Sequence, residues 1–207
     1  DAYKQLKVYD LVELQKGIKK IKTISQKRII NDILEQSENS INGRSHRDIF
    51  VTAPTGAGKS LLFQLPAIYM AEKYNLVTLV ITPLIGLMED QIKELKAIGY
   101  DSARTINSDI SPIIKQEILD DLANSKVHIL YLSPESLLSK SDIEQLIGKR
   151  KIGMVVVDEA HIVTTWGKQF RPDYWFLGDH IQKIRAAQDK KYNQSFVLAT
   201  FTATAIY

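Results

Sequence analysis

The stretch "DIFVTAPTGAGKSLLFQLPAIYM", Asp48 to Met70, constrains this chain more than any other. An apolar, β-branched run leads straight into a turn holding Gly56 and Gly58, and a helical pattern starts behind it at Lys59. A loop in that place turns successive backbone N–H groups inward, and its glycines supply the dihedrals and close approach this needs. Inward N–H groups, a helix N-terminus and a lysine together attract phosphate. Thr55, Gly56, Ala57, Gly58, Lys59 and Ser60 are therefore the candidate nucleotide contacts. Lys59 is placed to reach the β/γ-phosphates and the Ser60 hydroxyl to ligate Mg²⁺. The strict spacing G-x-x-x-x-G-K-[ST] is broken once, where Ala53 stands for the first glycine. A GKS triplet in a surface turn says little by itself; the strand before it and the helix after it give it meaning.

Strand and helix patterns then alternate. "LVTLVIT", "SARTI", "VHILYLS", "KIGMVVVD" and "SFVLATFTAT" read as strands. "LIGLMEDQIKELKAIG" reads as a helix with Leu84, Leu87, Met88, Ile92, Leu95 and Ile98 inward. In "SPIIKQEILDDLANS", Ser111 caps a helix with Pro112 in its first turn. Pro66 lies within the helix behind the phosphate loop and predicts a kink there. "KIGMVVVD" is apolar on both faces, as a central strand covered from two sides must be. The predicted fold class is α/β, a mostly parallel sheet with helices on both faces. In such sheets ligands collect at the carboxyl ends of the strands.

The strand "MVVVDEAH" delivers Asp158 and Glu159 to that same edge. Nucleotide hydrolysis needs a carboxylate near Mg²⁺ and a second group that orients the attacking water. Asp158 suits the first role, partly through water, and Glu159 the second, so Lys59, Asp158 and Glu159 form the candidate catalytic set. An Asp-Glu pair at a strand end is usually just solvated; its place downstream of a phosphate loop makes it chemical. Directly behind it, "TTWGKQFRPDYWF" crowds Trp166, Phe170, Tyr174, Trp175 and Phe176 among Lys168 and Arg171. Trp166 and Phe170 stand beside Gly167 and polar neighbours and read as a surface that stacks on bases, with Lys168 and Arg171 meeting phosphates. Trp175 and Phe176 fall where a helix begins and read as core.

The first part of the chain is different. Up to Phe50 there are 10 Lys+Arg against 7 Asp+Glu, and from Val51 onward 17 against 17, so the whole surplus of +3 lies early. Lys16, Lys19, Lys20, Lys22, Lys27 and Arg28 follow one another with no acid between Glu13 and Asp32. That run reads as a solvated helical face. In "KRIINDILEQ", Ile29, Ile30, Ile33 and Leu34 share one helical face, and "SENSINGRSHR" (Ser37 to Arg47) reads as a polar loop. Residues 1–47 are thus expected to be a basic helical segment and loop leading into a domain of residues 48–207. With no cysteine, disulfides and thiolate zinc sites are excluded within this chain, and the four histidines are too scattered for a metal cluster. No apolar run reaches the roughly 20 residues of a membrane span, and the first residues lack a signal-peptide core.

Taken together, the motifs resemble the first RecA-like domain of superfamily-two helicases of the DEAH-box kind, and among these the RecQ family. Besides "APTGAGKSLLFQLPA" and "VVVDEAH", the likeness includes "TPLIGLMEDQ", "INS", "YLSPESL", "FTATA" and the aromatic loop "WGKQFRPDY", and it runs from about Gln26 to Ala205. The resemblance implies a RecA-like P-loop NTPase fold, ATP and Mg²⁺ as ligands, and single-stranded or partly duplex DNA as partner. It places Thr82 and Ser133 along the nucleic-acid backbone. It gives His161, Thr202 and Thr204 to coupling between nucleotide and strand, and Gln26 to the adenine. It also implies a second RecA-like domain from the parent chain, without which this part does not unwind. The expected function is the ATP-binding and hydrolysing half of an ATP-dependent DNA helicase or translocase, in the cytoplasm or with DNA in a nucleoid or nucleus. An RNA helicase domain and a nucleotide-gated nucleic-acid-binding module are the alternatives. Four places depart from the family pattern: "KTIS" before Gln26, Lys168-Gln169 within the aromatic loop, Thr165, and the loop "SENSINGRSHR", longer than its family counterpart.

Overall fold

The computed structural model describes residues 3–53, 56–137, 139–160 and 176–203. The chain enters through a two-stranded antiparallel ribbon, β1 (Gln5–Tyr9) and β2 (Ile21–Ser25), with the short helix α1 (Leu11–Gln15) between. Then follow α2 (Gln26–Ile41), β3 (Ile49–Thr52), α3 (Lys59–Tyr74), β4 (Val77–Ile81) and α4 (Ile85–Ala97). β5 (Ala103–Ile106), α5 (Pro112–Ala123) and β6 (Ile129–Leu132) come next. A 3₁₀ turn (Pro134–Ser136), α6 (Lys140–Lys149), β7 (Ile152–Val157), α7 (Leu177–Tyr192) and β8 (Val197–Thr202) complete the described chain.

Six strands form one all-parallel sheet in the order β3-β8-β7-β4-β6-β5. β4, β6 and β7 are buried at every position, while the edge strands β3 and β5 alternate or open at their middles. That is why the central strands read as unbroken apolar runs. Alternate residues face opposite ways. Val80, Tyr131, Val156 and Phe201 join a core with α2, α3 and α4 on one face. Leu79, Ile81, Leu130, Val155 and Val157 join a second core with α5, α6 and α7 on the other. Helices therefore cover both faces, as the alternation of patterns requires. Among the described residues no helix is long and apolar enough to cross a membrane.

The early part of the chain departs from expectation. Residues 5–25 hold strands as well as a helix, because Leu6, Val8 and Ile24 recur at period two and pack on the first core. The cations Lys16, Lys19, Lys20, Lys22, Lys27 and Arg28 are all exposed on this ribbon and the first turn of α2. α2 also continues four residues past Ser37, into the stretch expected as loop. Ser37 and Ser40 are buried there.

Three apolar assignments were also too generous. Leu84 and Ile98 flank α4 and are exposed, leaving Met88, Gln91 and Leu95 as its buried face. Phe176 is exposed at the N-cap of α7, because the inward stripe runs Leu177, Ile181, Ile184, Gln188 and Phe176 falls off it. Trp175 lies outside the described residues. Pro66 sits inside one continuous helix, α3.

Candidate functional site

The strands end along one edge, and the residue just past an end stays bonded to the neighbouring strand. Ala53 donates its N–H to the Thr202 carbonyl (3.0 Å), and Asp158 to Ile81 (2.9 Å). Thr82 donates to Leu132 (3.1 Å), and Ser133 to Ile106 (3.3 Å). These bonds set Ala53, Thr202, Asp158, Thr82 and Ser133, scattered through the sequence, in one row.

From that row the glycine loop leads to α3. Gly56 (φ 79°) and Gly58 (φ 75°) both adopt the left-handed conformation that strains any residue with a Cβ. Gly58 is the N-cap of α3 and has no side chain to occupy the first-turn N–H groups. Those groups, with the helix dipole behind them, form the kind of helix N-terminus that attracts anions.

Lys59, the first residue of α3, is 8% exposed, and its Nζ lies 2.9 Å from Glu159 Oε1. Glu159 itself holds φ 53°. That conformation costs a non-glycine residue about 1–2 kcal/mol. It reverses the chain directly after β7, so that the Ala160 N–H reaches the Phe201 carbonyl at 3.0 Å. Asp158 is 2% exposed and accepts the Glu159 N–H at 2.9 Å. Burial, and then the Glu159 charge, push its carboxyl up to about 6, while Lys59 and the Glu159 N–H pull it partly back. A buried anion so weakly compensated fits a hard cation. No three acidic or histidine side chains gather into a metal cage among the described residues. Mg²⁺ does not need one, since it is commonly held by one or two protein oxygens together with substrate phosphates. Ser60 is half-buried at the start of α3.

Other candidates are placed as follows. Thr82 and Ser133 are fully buried just past the ends of adjacent strands, and neither hydroxyl has a hydrogen-bond partner. Thr202 is buried at the end of β8. Gln26 is 2% exposed, and its amide is engaged on both sides, with the Lys4 N–H and with the Ala57 and Gly58 carbonyls. Thr55, His161, Trp166, Lys168, Phe170, Arg171 and Thr204 lie outside the described residues.

The sequence reading missed the contribution of Lys4 and the ribbon. Alternation in "QLKVY" and "IKTIS" was the available signal, but the dense lysines around it pointed to a solvated helix. The left-handed backbone at Glu159 had no signal at all.

Comparison with known proteins gives the same direction. Over 150 residues the chain is 39% identical to the mouse protein named ATP-dependent DNA helicase Q5, covering 70% of this chain and 15% of that one. It is 38% identical over 163 residues to the Synechocystis ATP-dependent DNA helicase RecQ, covering 78% and 32%. The chain thus spans less than a third of either relative. The crystal structure of the DUF1998 helicase MrfA superposes with a TM-score of 0.64 at 21% identity, over 96% of this chain and 30% of that one. That likeness shows the fold. Residues 23–206 match the DEAD/DEAH box helicase family. The chain belongs to the DEAD/DEAH box helicase family, and within it is similar to the RecQ-type DNA helicases.

Proposed function

We propose that this chain is the ATP-binding and hydrolysing half of an ATP-dependent DNA helicase or translocase of RecQ type. The observation that carries this reading is the meeting of Lys59 and Glu159 at 2.9 Å, across 100 residues of sequence, between the glycine loop and the end of β7. On binding Mg·ATP, Lys59 leaves Glu159 for the β/γ-phosphates, received by the N–H groups of the loop. Glu159, released, orients the attacking water and accepts its proton. Ser60 and Asp158 would hold Mg²⁺, Asp158 partly through water. Bound there, the cation would supply positive charge for the phosphates. The names of the relatives, ATP-dependent DNA helicases, support ATP as the nucleotide and DNA as the track.

Residues 48–207 carry these contacts on this reading, and residues 1–47 lead into them. Thr82 and Ser133, buried with idle hydroxyls at the same edge, would meet the strand backbone, with Thr202, His161 and Thr204 linking strand to nucleotide. Trp166, Phe170, Lys168 and Arg171 make contact with single-stranded DNA felt at Glu159. A second RecA-like domain would add the arginine that stabilises transition-state charge, typically worth about 10³–10⁵ in rate. Without that arginine the loop and the acidic turn would bind nucleotide and turn it over slowly.

The test uses the intact parent protein. ATPase activity should rise with single-stranded DNA more than with RNA, and Trp166→Ala and Phe170→Ala should remove most of that rise while sparing the basal rate. Stimulation by RNA alone would favour an RNA helicase. Nucleotide-dependent binding without strand displacement would favour a gated binding module.

A further inference from the structure

Tyr131 is fully buried on β6, two residues before Ser133, in the core that includes Phe63, Met88 and Phe201. A phenylalanine would fill that space as well, and would bring no hydroxyl into an apolar interior. The hydroxyl has one hydrogen-bond partner among the described residues: its oxygen accepts from Gln64 Nε2 at 3.0 Å. Gln64 lies on α3 four residues past Ser60, one turn behind it on the same side of the helix. The same Nε2 also donates, more weakly, to Oε1 of the buried Gln91 at 3.4 Å. Gln91 belongs to α4, the helix that follows Thr82. One side-chain amide thus joins the helix of the glycine loop to the strand before Ser133 and the helix after Thr82.

The tyrosine also lies within the field of the acidic turn. Burial raises its pKa well above the ordinary phenol range, the Gln64 bond opposes this, and the Asp158 charge raises it further. It therefore stays a neutral hydroxyl, able to accept from Gln64 at any ordinary pH. Apolar contacts between α3, α4 and β6 have no direction, whereas a hydrogen bond weakens steeply with misalignment. A slide of β6 or α4 against α3 changes what Gln64 holds, because its two acceptors stand on those two elements. On the reading that the loop takes ATP and the Thr82–Ser133 edge a nucleic-acid strand, we propose that Gln64 and Tyr131 are positioning residues. Their bond transmits contact at that edge to α3, and through α3 to Lys59 and Ser60 at its start. Hydrolysis then quickens when the strand is bound. Both residues act through α3, and neither is catalytic.

ATP hydrolysis by the intact parent protein is measured with and without single-stranded DNA, for wild type, Tyr131→Phe, Gln64→Met and the double variant. Both replacements keep the side-chain size and remove one partner of the bond. Each should leave basal turnover and the KM for ATP within about twofold of wild type. Turnover at saturating DNA should fall roughly fivefold, the scale of one buried hydrogen bond. All three variants lack the same bond, so the double variant should lose no more than the single ones. A merely structural pair would lower basal and stimulated turnover together, and that result would overturn the proposal. Full stimulation in Tyr131→Phe, or losses that multiply in the double variant, would do the same. Tyr131→Phe decides alone should Gln64→Met fail to fold. The underlying reading fails differently and takes the link with it: the wild type hydrolyses no ATP, Lys59→Ala hydrolyses it as fast as wild type, or no nucleic acid stimulates it.

Discussion

β7 carries a buried charge at each end, and the two ends are unlike. Arg150 stands two residues before the strand and Asp158 one residue after it, each 2% exposed. Arg150 donates to the carbonyls of Asn75, Leu76, Leu122 and Val127, gathering the ends of α3 and α5 and the approach to β6. Cations suit helix C-termini, where carbonyls are left over. Burial lowers the Arg150 pKa to about 10, which leaves it charged at neutral pH. Asp158 has far less: the Glu159 N–H, and the field of Lys59 against that of Glu159. An ionised carboxylate has about four acceptor positions. The fold spends the bonding capacity of Arg150 and leaves much of that of Asp158 unspent. Burial of charge does not by itself mark a functional site; at this edge Asp158 keeps bonding capacity to spare, and the Thr82 and Ser133 hydroxyls beside it also lack partners.

The comparison breaks most readily at Arg150. Arg150→Met strands carbonyls from three elements and should cost about 3–5 kcal/mol, lowering the melting temperature by on the order of 10 °C. ATP affinity of the folded protein should not change. A loss below about 1 kcal/mol in denaturant unfolding would mean that the clamp is ornamental.

Asp158→Asn should act with the opposite sign. A folded carboxyl pKa of about 6, above its ordinary 3.8, means that the folded state holds the proton more tightly. Wild-type stability therefore falls as pH rises from about 4 to 6 and stays lower above that window. The asparagine variant escapes this penalty and should be more stable by on the order of 1–3 kcal/mol at pH 7–8. Near pH 4 the two proteins should converge in urea titrations. The same variant should lose any Mg²⁺-dependent gain in nucleotide affinity, and a destabilised Asp158→Asn at pH 8 would remove the contrast with Arg150.

The smallest effect separates the two partners of the buried ion pair. Lys59→Ala should weaken ATP binding about 10–100-fold, since it deletes a charged contact to phosphate. Glu159→Gln should shift affinity by less than about threefold, because it frees Lys59, while abolishing hydrolysis in the parent protein. Equal losses of affinity in the two variants would contradict these roles.

Much of this was legible beforehand because it is local. Periodicity separated strands from helices, two glycines before Lys59 announced a loop at left-handed dihedrals, and Ser111-Pro112 announced a helix start. Where the reading failed, packing overrode composition. Polar Ser37 and Ser40 are buried within α2 although their neighbours read as a solvated loop. Phe176 and Ile98 are exposed because the inward stripe of each helix passes elsewhere. In the ribbon, Leu6, Val8 and Ile24 decided the structure although lysines dominate the text.

By itself the sequence determined the kinds and order of the elements from β3 onward, and which residues make the glycine loop and the acidic turn. Backbone dihedrals and side-chain periods act over a few residues and need no knowledge of neighbours. Only the tertiary structure decided which strands lie side by side, that Lys59 meets Glu159, that Gln26 spends its amide between ribbon and loop, and that Arg150 is sated while Asp158 is not. A period of two or of 3.6 says which face of an element is apolar, never which element will cover it. Hydrogen-bond satisfaction belongs to the partner as much as to the residue, so it has no expression in a linear chain.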